Sequence, residues 1–294
     1  MKHVLATVAT NSFFPGTLVT LHSFRRFNPW FTGRIVVIHS GLRLENRKLL
    51  QALFGSVSFV TPHRDLRDSV ERLTSAKTYL KGRGARFYSV EASRIDGCDR
   101  LVFLDSDTLI QADIRELFES QSEMAACGER IYYRGQGRCS TTMVPRDPDD
   151  DGVLFPTING GVWSLCGSVL GEPLYQRLLS WMEVTRWGEV QAKLTDQILL
   201  NWLYATLSTE LLSGEFNYLV SYAKEMGECR SLSSSRIVHF AGPGKPWRLD
   251  TAVTKEVRNP IFQMASRNWR KEYHRVVSAL HFSSVELTEN GNGE

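Results

Sequence analysis

The sequence predicts an α/β fold built on a doubly wound, mainly parallel sheet, and three observations lead there. Apolar runs of strand length recur at 3–10 (HVLATVAT), 33–40 (GRIVVIHS), 55–61 (GSVSFVT) and 99–107 (DRLVFLDSD). Segments 16–26 and 45–54, lying between them, carry apolar residues at helical spacing. The runs are apolar almost throughout, as strands covered on both faces are. Strand and helix in alternation build a parallel sheet, whose ligands collect beyond the carboxyl ends of the strands. Thr10 and Asn11 fall at one such end, and Asp105 and Asp107 at another.

With 294 residues, 42% of them hydrophobic, the chain can bury a large core. No linker divides it, so the sequence predicts one catalytic unit over 1–250 and an amphipathic helix with a disordered tail over 251–294. A net charge of +3 is too small to argue for nucleic acid. The apolar run 4–9 is short for a signal peptide, and no stretch has the length of a membrane span. Cys98, Cys127, Cys139, Cys166 and Cys229 are scattered and form no Cys-x-x-Cys pair. That argues against a disulfide framework and a structural zinc site, and for a reducing cytoplasm.

After Ala112 the pattern weakens. Residues 128–152, rich in Gly, Pro, Arg and Asp, read as a long surface loop. Its acidic run Asp149, Asp150 and Asp151 reads as a solvated face rather than a cation site. A strand-like TINGGVWSL (157–165), helical material at 173–186 and 194–205, and a late strand at 235–242 follow. In 261–281, Phe262, Ala265, Trp269, Tyr273, Val276 and Leu280 form one helix face, with Arg267, Arg270, Lys271, His274 and Arg275 around it. Such a helix docks on the core or lies on anionic lipid. The end, from residue 286, reads as disordered.

Two segments carry chemistry. In RLVFLDSDTLI, Asp105 and Asp107 close a buried strand, where a bend lets both address one ion. Two adjacent carboxylates repel, and a divalent cation compensates them. The alternative is a turn that caps a helix near Asp113. In VHFAGPGKPW, His239 is followed by Gly242 and Lys245. An imidazole can complete a metal site begun by carboxylates, glycine admits close backbone approach, and lysine suits phosphate oxygens. A lone histidine there would instead be structural.

These pieces, in this order, resemble the family-eight glycosyltransferases, the glycogenin-like and bacterial lipopolysaccharide-type galactosyl- and glucosyltransferases. VATNSFFPGTLVTLHSF resembles the family's N-terminal Thr-Asn segment, FLDSDTLI its Asp-x-Asp strand and INGGV its Asn-x-Gly turn. TDQILLN resembles its Asp-Gln helix start and HFAGPGKPW its His-x-x-Gly-x-x-Lys-Pro-Trp segment.

The resemblance implies a single nucleotide-sugar-binding domain of the GT-A type and a retaining, manganese- or magnesium-dependent transfer of a hexose from a UDP-sugar. The implied acceptor is a glycan or glycolipid, such as lipopolysaccharide, met in the cytoplasm or at the inner membrane surface, where the C-terminal helix would make peripheral contact. Asp105, Asp107 and His239 would hold the metal. Val8, Thr10, Asn11 and Phe14 would frame uracil and ribose, with Phe14 standing where tyrosine is common. Arg86, otherwise a surface arginine, would reach phosphates and sugar. Gly242 and Lys245 would contact the pyrophosphate, and Ser106 would belong to the donor segment as a spacer. Asn159 and Gly160 would lie near the sugar, with Asp196 and Gln197 as the catalytic pair. Ile198 replaces an acidic residue common in bacterial relatives, which opens the acceptor contacts. Glutamine is a poor nucleophile, which favours same-face attack over double displacement on Asp196. A sugar-1-phosphate nucleotidyltransferase would need a Gly-rich basic loop after the first strand, and TNSFFPG is not one. A non-catalytic sugar-nucleotide binder is the remaining alternative.

Overall fold

A computed structural model describes residues 2–129, 158–188, 194–223 and 231–289. The surface loop expected at 128–152, with its acidic run, therefore lies almost wholly outside the described residues, as do Cys139 and Cys229.

Chain order in the first half is β1 (His3–Val8), α1 (Phe14–Phe27), β2 (Arg34–Ile38), α2 (Leu44–Phe54), β3 (Val57–Val60) and α3 (Arg64–Ala76). Tight helical turns at Gly84–Arg94 then lead to β4 (Arg100–Leu104). These strands pair in parallel in the order β3-β2-β1-β4. Pro15 starts α1 without an N–H to lose, and Gly55 stops α2 at φ 68°.

The second half extends the sheet with β6 (Met124–Gly128), β7 (Ile158–Cys166) and β8 (Thr209–Leu212), giving seven strands in the order β3-β2-β1-β4-β7-β6-β8. β7 runs antiparallel to both β4 and β6, so the sheet is mixed but mainly parallel. Between and after these strands lie α4 (Glu116–Glu119), α5 (Glu172–Trp181), α6 (Val184–Gly188) and α7 (Gln197–Thr206).

Alternation along the strands builds a core on each face. Val4, Ala6, Leu101 and Phe103 point to one face, beneath α3, α5 and α7. Leu5, Val102 and Leu104 point to the other, beneath α1 and α2. Both cores are apolar, which is why these strands lack polar alternation in sequence.

The apolar run through Asp105 and Asp107 is not one strand. After β4 the chain leaves the large sheet, turns, and enters β5 (Thr108–Ile110) of a separate three-stranded sheet in the order β5-β10-β9. Its other strands are β9 (Tyr218–Leu219) and β10 (Ile237–His239). The two aspartates stand at this change of sheet.

Two helices complete the chain, α8 (Leu249–Arg258) and α9 (Pro260–Glu289). α9 docks on the body. Phe262, Ala265 and Trp269 are buried in a third core with Val19, Leu109, Val238 and Phe240, and Val276 is buried against the α1 side. Trp269 stacks on Tyr273 at 5.3 Å and meets Trp247 at 5.4 Å. Glu272, buried, accepts from His22 Nδ1 at 2.7 Å and pairs with Arg26 and Arg275. The apolar face of this helix is thus turned to protein, not to a lipid surface, and the helix runs to Glu289, past the expected start of a disordered end. Among the described residues, no helix is long and apolar enough to cross a membrane.

Candidate active site

One wall of the site is charged. Beyond β4, Asp105 N–H donates to Gly161 O at 2.8 Å, and the chain then turns through Ser106. Ser106 is buried; its hydroxyl donates to the Val8 carbonyl and lies 3.1 Å from Thr17 Oγ1. It is therefore more than a spacer, since it pins the turn to β1 and α1. β5 pairs with β10 so that His239 stands opposite Thr108, and Phe240 N–H donates to Asp107 O at 2.9 Å. This register sets His239 Nε2 at 3.2 Å from Asp107 Oδ1 and 3.7 Å from Asp105 Oδ2. The Lys245 ammonium pairs with Asp107 and donates to the Phe240 carbonyl. The competing role at a turn belongs to Asp113, whose Oδ1 accepts from Arg115 N–H at 2.7 Å.

These charges shape one another. Burial and the Asp107 charge push the Asp105 carboxyl up to about 7. Burial works the same way on Asp107, but Lys245 and His239 overcome it and hold that carboxyl far below its ordinary range. Burial would lower His239, and the two carboxylates raise it instead.

One ligand atom each from Asp105, Asp107 and His239 lies within 4.8 Å of the others. Two carboxylate oxygens and one imidazole nitrogen form a donor set that suits manganese or magnesium. Beneath them runs β7. A Cβ on Gly161 would stand 2.2 Å from His239 Cε1 and 3.0 Å from Asp105 Oδ2, so only glycine lets that strand pass. The residues present fit a divalent ion.

The opposite wall is made of amides. Asn159 and Gly160 lie in β7, and Asp196 and Gln197 open α7. Asn201 clamps the two elements together: its Oδ1 accepts from Ile158 N–H at 3.0 Å and its Nδ2 donates to the Gln197 carbonyl at 2.7 Å. A Cβ on Gly160 would sit 3.4 Å from Gln197 Cβ, which shows how closely α7 rides on β7. Gln197 Nε2 and Asn159 Nδ2 both donate to Glu129 Oε2, at 2.8 and 2.7 Å. Asn159 Oδ1 accepts from Gly161 N–H and Asn217 Nδ2, each at 2.9 Å, and Asn217 Oδ1 lies 2.8 Å from His239 Nδ1. The two walls are joined by this chain of side chains. Asp196 accepts from Ser89 Oγ at 2.7 Å and Thr195 Oγ1 at 2.9 Å. Burial raises its carboxyl, while those donors and the Arg86 charge act against the rise. Arg86 itself is exposed, in the same helical turns as Ser89.

The remaining residues lie around the rim. Asn11 Oδ1 accepts from Arg43 N–H and Asn46 Nδ2, and its Nδ2 donates to Gly41 O at 3.0 Å, so this side chain braces the loop after β2. Thr10 Oγ1 accepts from Phe13 N–H at 3.3 Å. Phe14 is buried in the core, because α1 begins there and turns its first side chain inward. The ring beside Lys245 is that of Phe13, 5.5 Å from Nζ and 5.5 Å from the Trp247 ring. Trp247 Nε1 donates to Ser12 O at 3.1 Å and so ties the lysine loop to this segment. Gly242 takes φ 87°, in the left-handed region that glycine enters without strain.

Sequence reasoning passed over Phe13, Ser89, Glu129, Gly161 and Asn217. For Gly161 a signal existed, since INGGV holds two glycines within a strand pattern, a mark of close backbone approach. Asn217 and Glu129 sit in stretches with no local sign of their role.

A profile of glycosyl transferase family 8 matches residues 4–251. Direct sequence comparison with curated proteins found no match. Among solved structures, the galactosyltransferase LgtC, determined with donor and acceptor sugar analogs, superposes with a TM-score of 0.59 at 17% identity, covering 92% of this chain and 99% of that one. The glycosyltransferase GlyE of Streptococcus pneumoniae gives 0.58 at 15% identity, covering 95% of this chain and 64% of GlyE. Mouse xyloside xylosyltransferase 1 gives 0.50 at 18% identity, over 82% of this chain and 97% of that one. At such identities the superpositions speak for the fold, a GT-A-like α/β arrangement with a C-terminal helix. The family match spans most of the sequence and takes in both walls of the site, and by it the chain belongs to glycosyl transferase family 8.

Proposed function

We propose that this glycosyltransferase moves a hexose, glucose or galactose, from a UDP-sugar to a hydroxyl of a glycan or glycolipid, with retention and with manganese or magnesium at Asp105, Asp107 and His239. The single observation that carries the reading is the convergence of that triad with Lys245 at the change of sheet, facing a wall of amides. A bound ion supplies Lewis-acid neutralisation of the diphosphate.

The chain's own groups divide the remaining work. Leaving of UDP builds negative charge, and the Lys245 ammonium is placed to meet it, exchanging Asp107 for a phosphate oxygen. Positive charge grows at the anomeric carbon, where the Asp196 carboxylate and the Gln197 carbonyl offer oxygen. With its amide nitrogen held by Glu129, Gln197 has Oε1 free of hydrogen bonds among the described residues. Retention follows from attack on the face the diphosphate leaves, with a donor phosphate oxygen taking the acceptor's proton. Phe13, whose ring lies 5.5 Å from Lys245 Nζ, would lie beside the nucleotide in place of the buried Phe14. A lipid-linked acceptor at the inner membrane surface would meet the exposed Arg267, Lys271, His274 and Arg275 of α9, since the apolar face of that helix is occupied.

The test is release of UDP from a panel of UDP-sugars, with manganese, magnesium or chelator and without acceptor. Slow, metal-dependent hydrolysis of one UDP-hexose is the expected result. No release from any donor, or equal release in chelator, overturns the reading. Trapping a covalent glycosyl-enzyme on Asp196 would replace same-face attack by double displacement.

A further inference from the structure

The hydrogen bonds between the two walls have a direction, and it follows from one backbone group. Gly161 N–H can only donate, so the Asn159 atom it meets at 2.9 Å is oxygen. The other end of Asn159 is then the NH2 group, which donates to Glu129. Asn217 meets the same Asn159 oxygen at 2.9 Å and must present its own NH2 there. Its remaining end is oxygen, 2.8 Å from His239 Nδ1, and that nitrogen must carry the proton. Nε2 is the nitrogen left to face Asp105 and Asp107, where a cation would take its lone pair in place of a second proton.

We propose that Asn217 is a positioning residue which, oriented through Asn159 by the Gly161 N–H, fixes His239 with its proton on Nδ1 and so reserves Nε2 for the metal. Asn217 is fully buried, at 0% exposure, and ends the helical turn Gly214–Asn217 just before β9. Parallel pairing of β9 with β10 sets Tyr218 beside Val238 and Leu219 beside His239, which brings the preceding side chain under the imidazole. A buried amide beside the apolar three-stranded sheet is costly unless both of its ends are bonded, and both are. A metal-bound histidine needs such a partner on its other nitrogen, which fixes ring and tautomer and raises ligand basicity.

This inference rests on the proposed cation site, so the experiment separates the two. Manganese binding is measured by the loss of free Mn2+ signal in electron paramagnetic resonance for the wild type, His239→Ala, Asn217→Leu and Asn217→Asp. Binding by the wild type that His239→Ala weakens supports the cation site. Asn217→Leu removes the acceptor and should weaken binding about 10- to 100-fold. Its half-saturating manganese in the UDP-release assay should rise equally, while kcat at saturating manganese stays within about threefold, a split that mere loosening of the fold would not produce. Asn217→Asp keeps an acceptor for Nδ1–H and should bind manganese at least as tightly as the wild type, which covers the case in which the leucine variant fails to fold. Wild-type affinity in Asn217→Leu, or Asn217→Asp binding as weakly as His239→Ala, overturns the role of Asn217 and leaves the cation site standing. A wild type that binds no manganese overturns both.

Discussion

The two walls of the site hold their polar groups in different ways. Around Asp105 and Asp107 the partners are charges: His239 and Lys245 compensate two carboxylates, and these neighbours shift the proton affinities of Asp105, Asp107 and His239. Around Gln197 each carboxylate is met by neutral donors instead: the amides of Asn159 and Gln197 converge on Glu129, and two hydroxyls on Asp196. Ion pairs have no fixed direction, so on the proposed reading Lys245 would leave Asp107 when a divalent cation and an anionic diphosphate arrive together. Amides are directional and preorganised, which suits the proposed task of presenting oxygen to a reacting carbon without rearranging. On the proposed reading the first wall exchanges partners and the second stays still.

The sharpest way to break this contrast is to neutralise one charge. Asp107→Asn keeps the shape of the side chain but removes the carboxylate paired with Lys245 and one proposed ligand of the ion. Metal-dependent UDP release should fall about a thousandfold, corresponding to about 4 kcal/mol. Circular dichroism should still report the native secondary structure. Turnover near the wild-type rate would mean that the charged wall does not serve an ion.

On the amide wall the loss should be smaller and should leave the ion alone. Gln197→Ala is expected to lower kcat about a hundredfold, the scale of one lost preorganised polar group. Manganese affinity and KM for the donor should stay within about threefold, because among the described residues the hydrogen bonds from Gln197 to the triad run through Glu129, Asn159 and Asn217. Parallel loss of metal binding would show that the walls do not act separately.

Much of the charged wall was legible in the sequence; of the amide wall, the family resemblance named Asn159, Gly160, Asp196 and Gln197 but not the residues that hold them. Asp105, Asp107 and His239 end apolar runs, and charge after such a run needs a reason. The break of that run into β4 and β5 was not legible, since three-residue β5 and two-residue β9 are too short to leave a periodic pattern. Asn217 and Glu129 act across 58 and 68 residues on partners that no local rule connects. Phe13 and Phe14 are adjacent and chemically identical, and only the start of α1 decides which is buried. The parallel half of the sheet was readable for the opposite reason: its strands are apolar on both faces and separated by helices of ordinary length.

A third variant probes the floor shared by both walls. Gly161→Ala would drive a methyl group against His239 and Asp105. The imidazole must shift by more than a flexible side chain's play, so manganese affinity should fall about 10- to 100-fold. The Asn159 contact comes from the backbone of the same residue, and kcat at saturating metal should fall with it. Unchanged metal binding would place the ion away from His239.

The smallest effect concerns Asp196, a carboxylate of the amide wall whose burial is opposed by two hydroxyls, the Arg86 charge and a backbone hydrogen bond, none of which outweighs it. Its proton affinity in the folded chain is raised above the ordinary value. The folded chain therefore holds that proton more tightly than the unfolded chain, and ionised Asp196 weakens the fold increasingly as pH rises from the unfolded value through the folded one. Asp196→Asn removes the charge and should raise stability at pH 7 by about 0.5–2 kcal/mol while turnover falls about tenfold. The gain should vanish below about pH 4, where both chains are neutral at this position. Thermal unfolding of the two proteins between pH 3.5 and 8 measures it. A variant less stable than the wild type at pH 7 would mean that the Ser89 and Thr195 hydroxyls outweigh burial, and that the amide wall, like the charged one, depends on its ionised group.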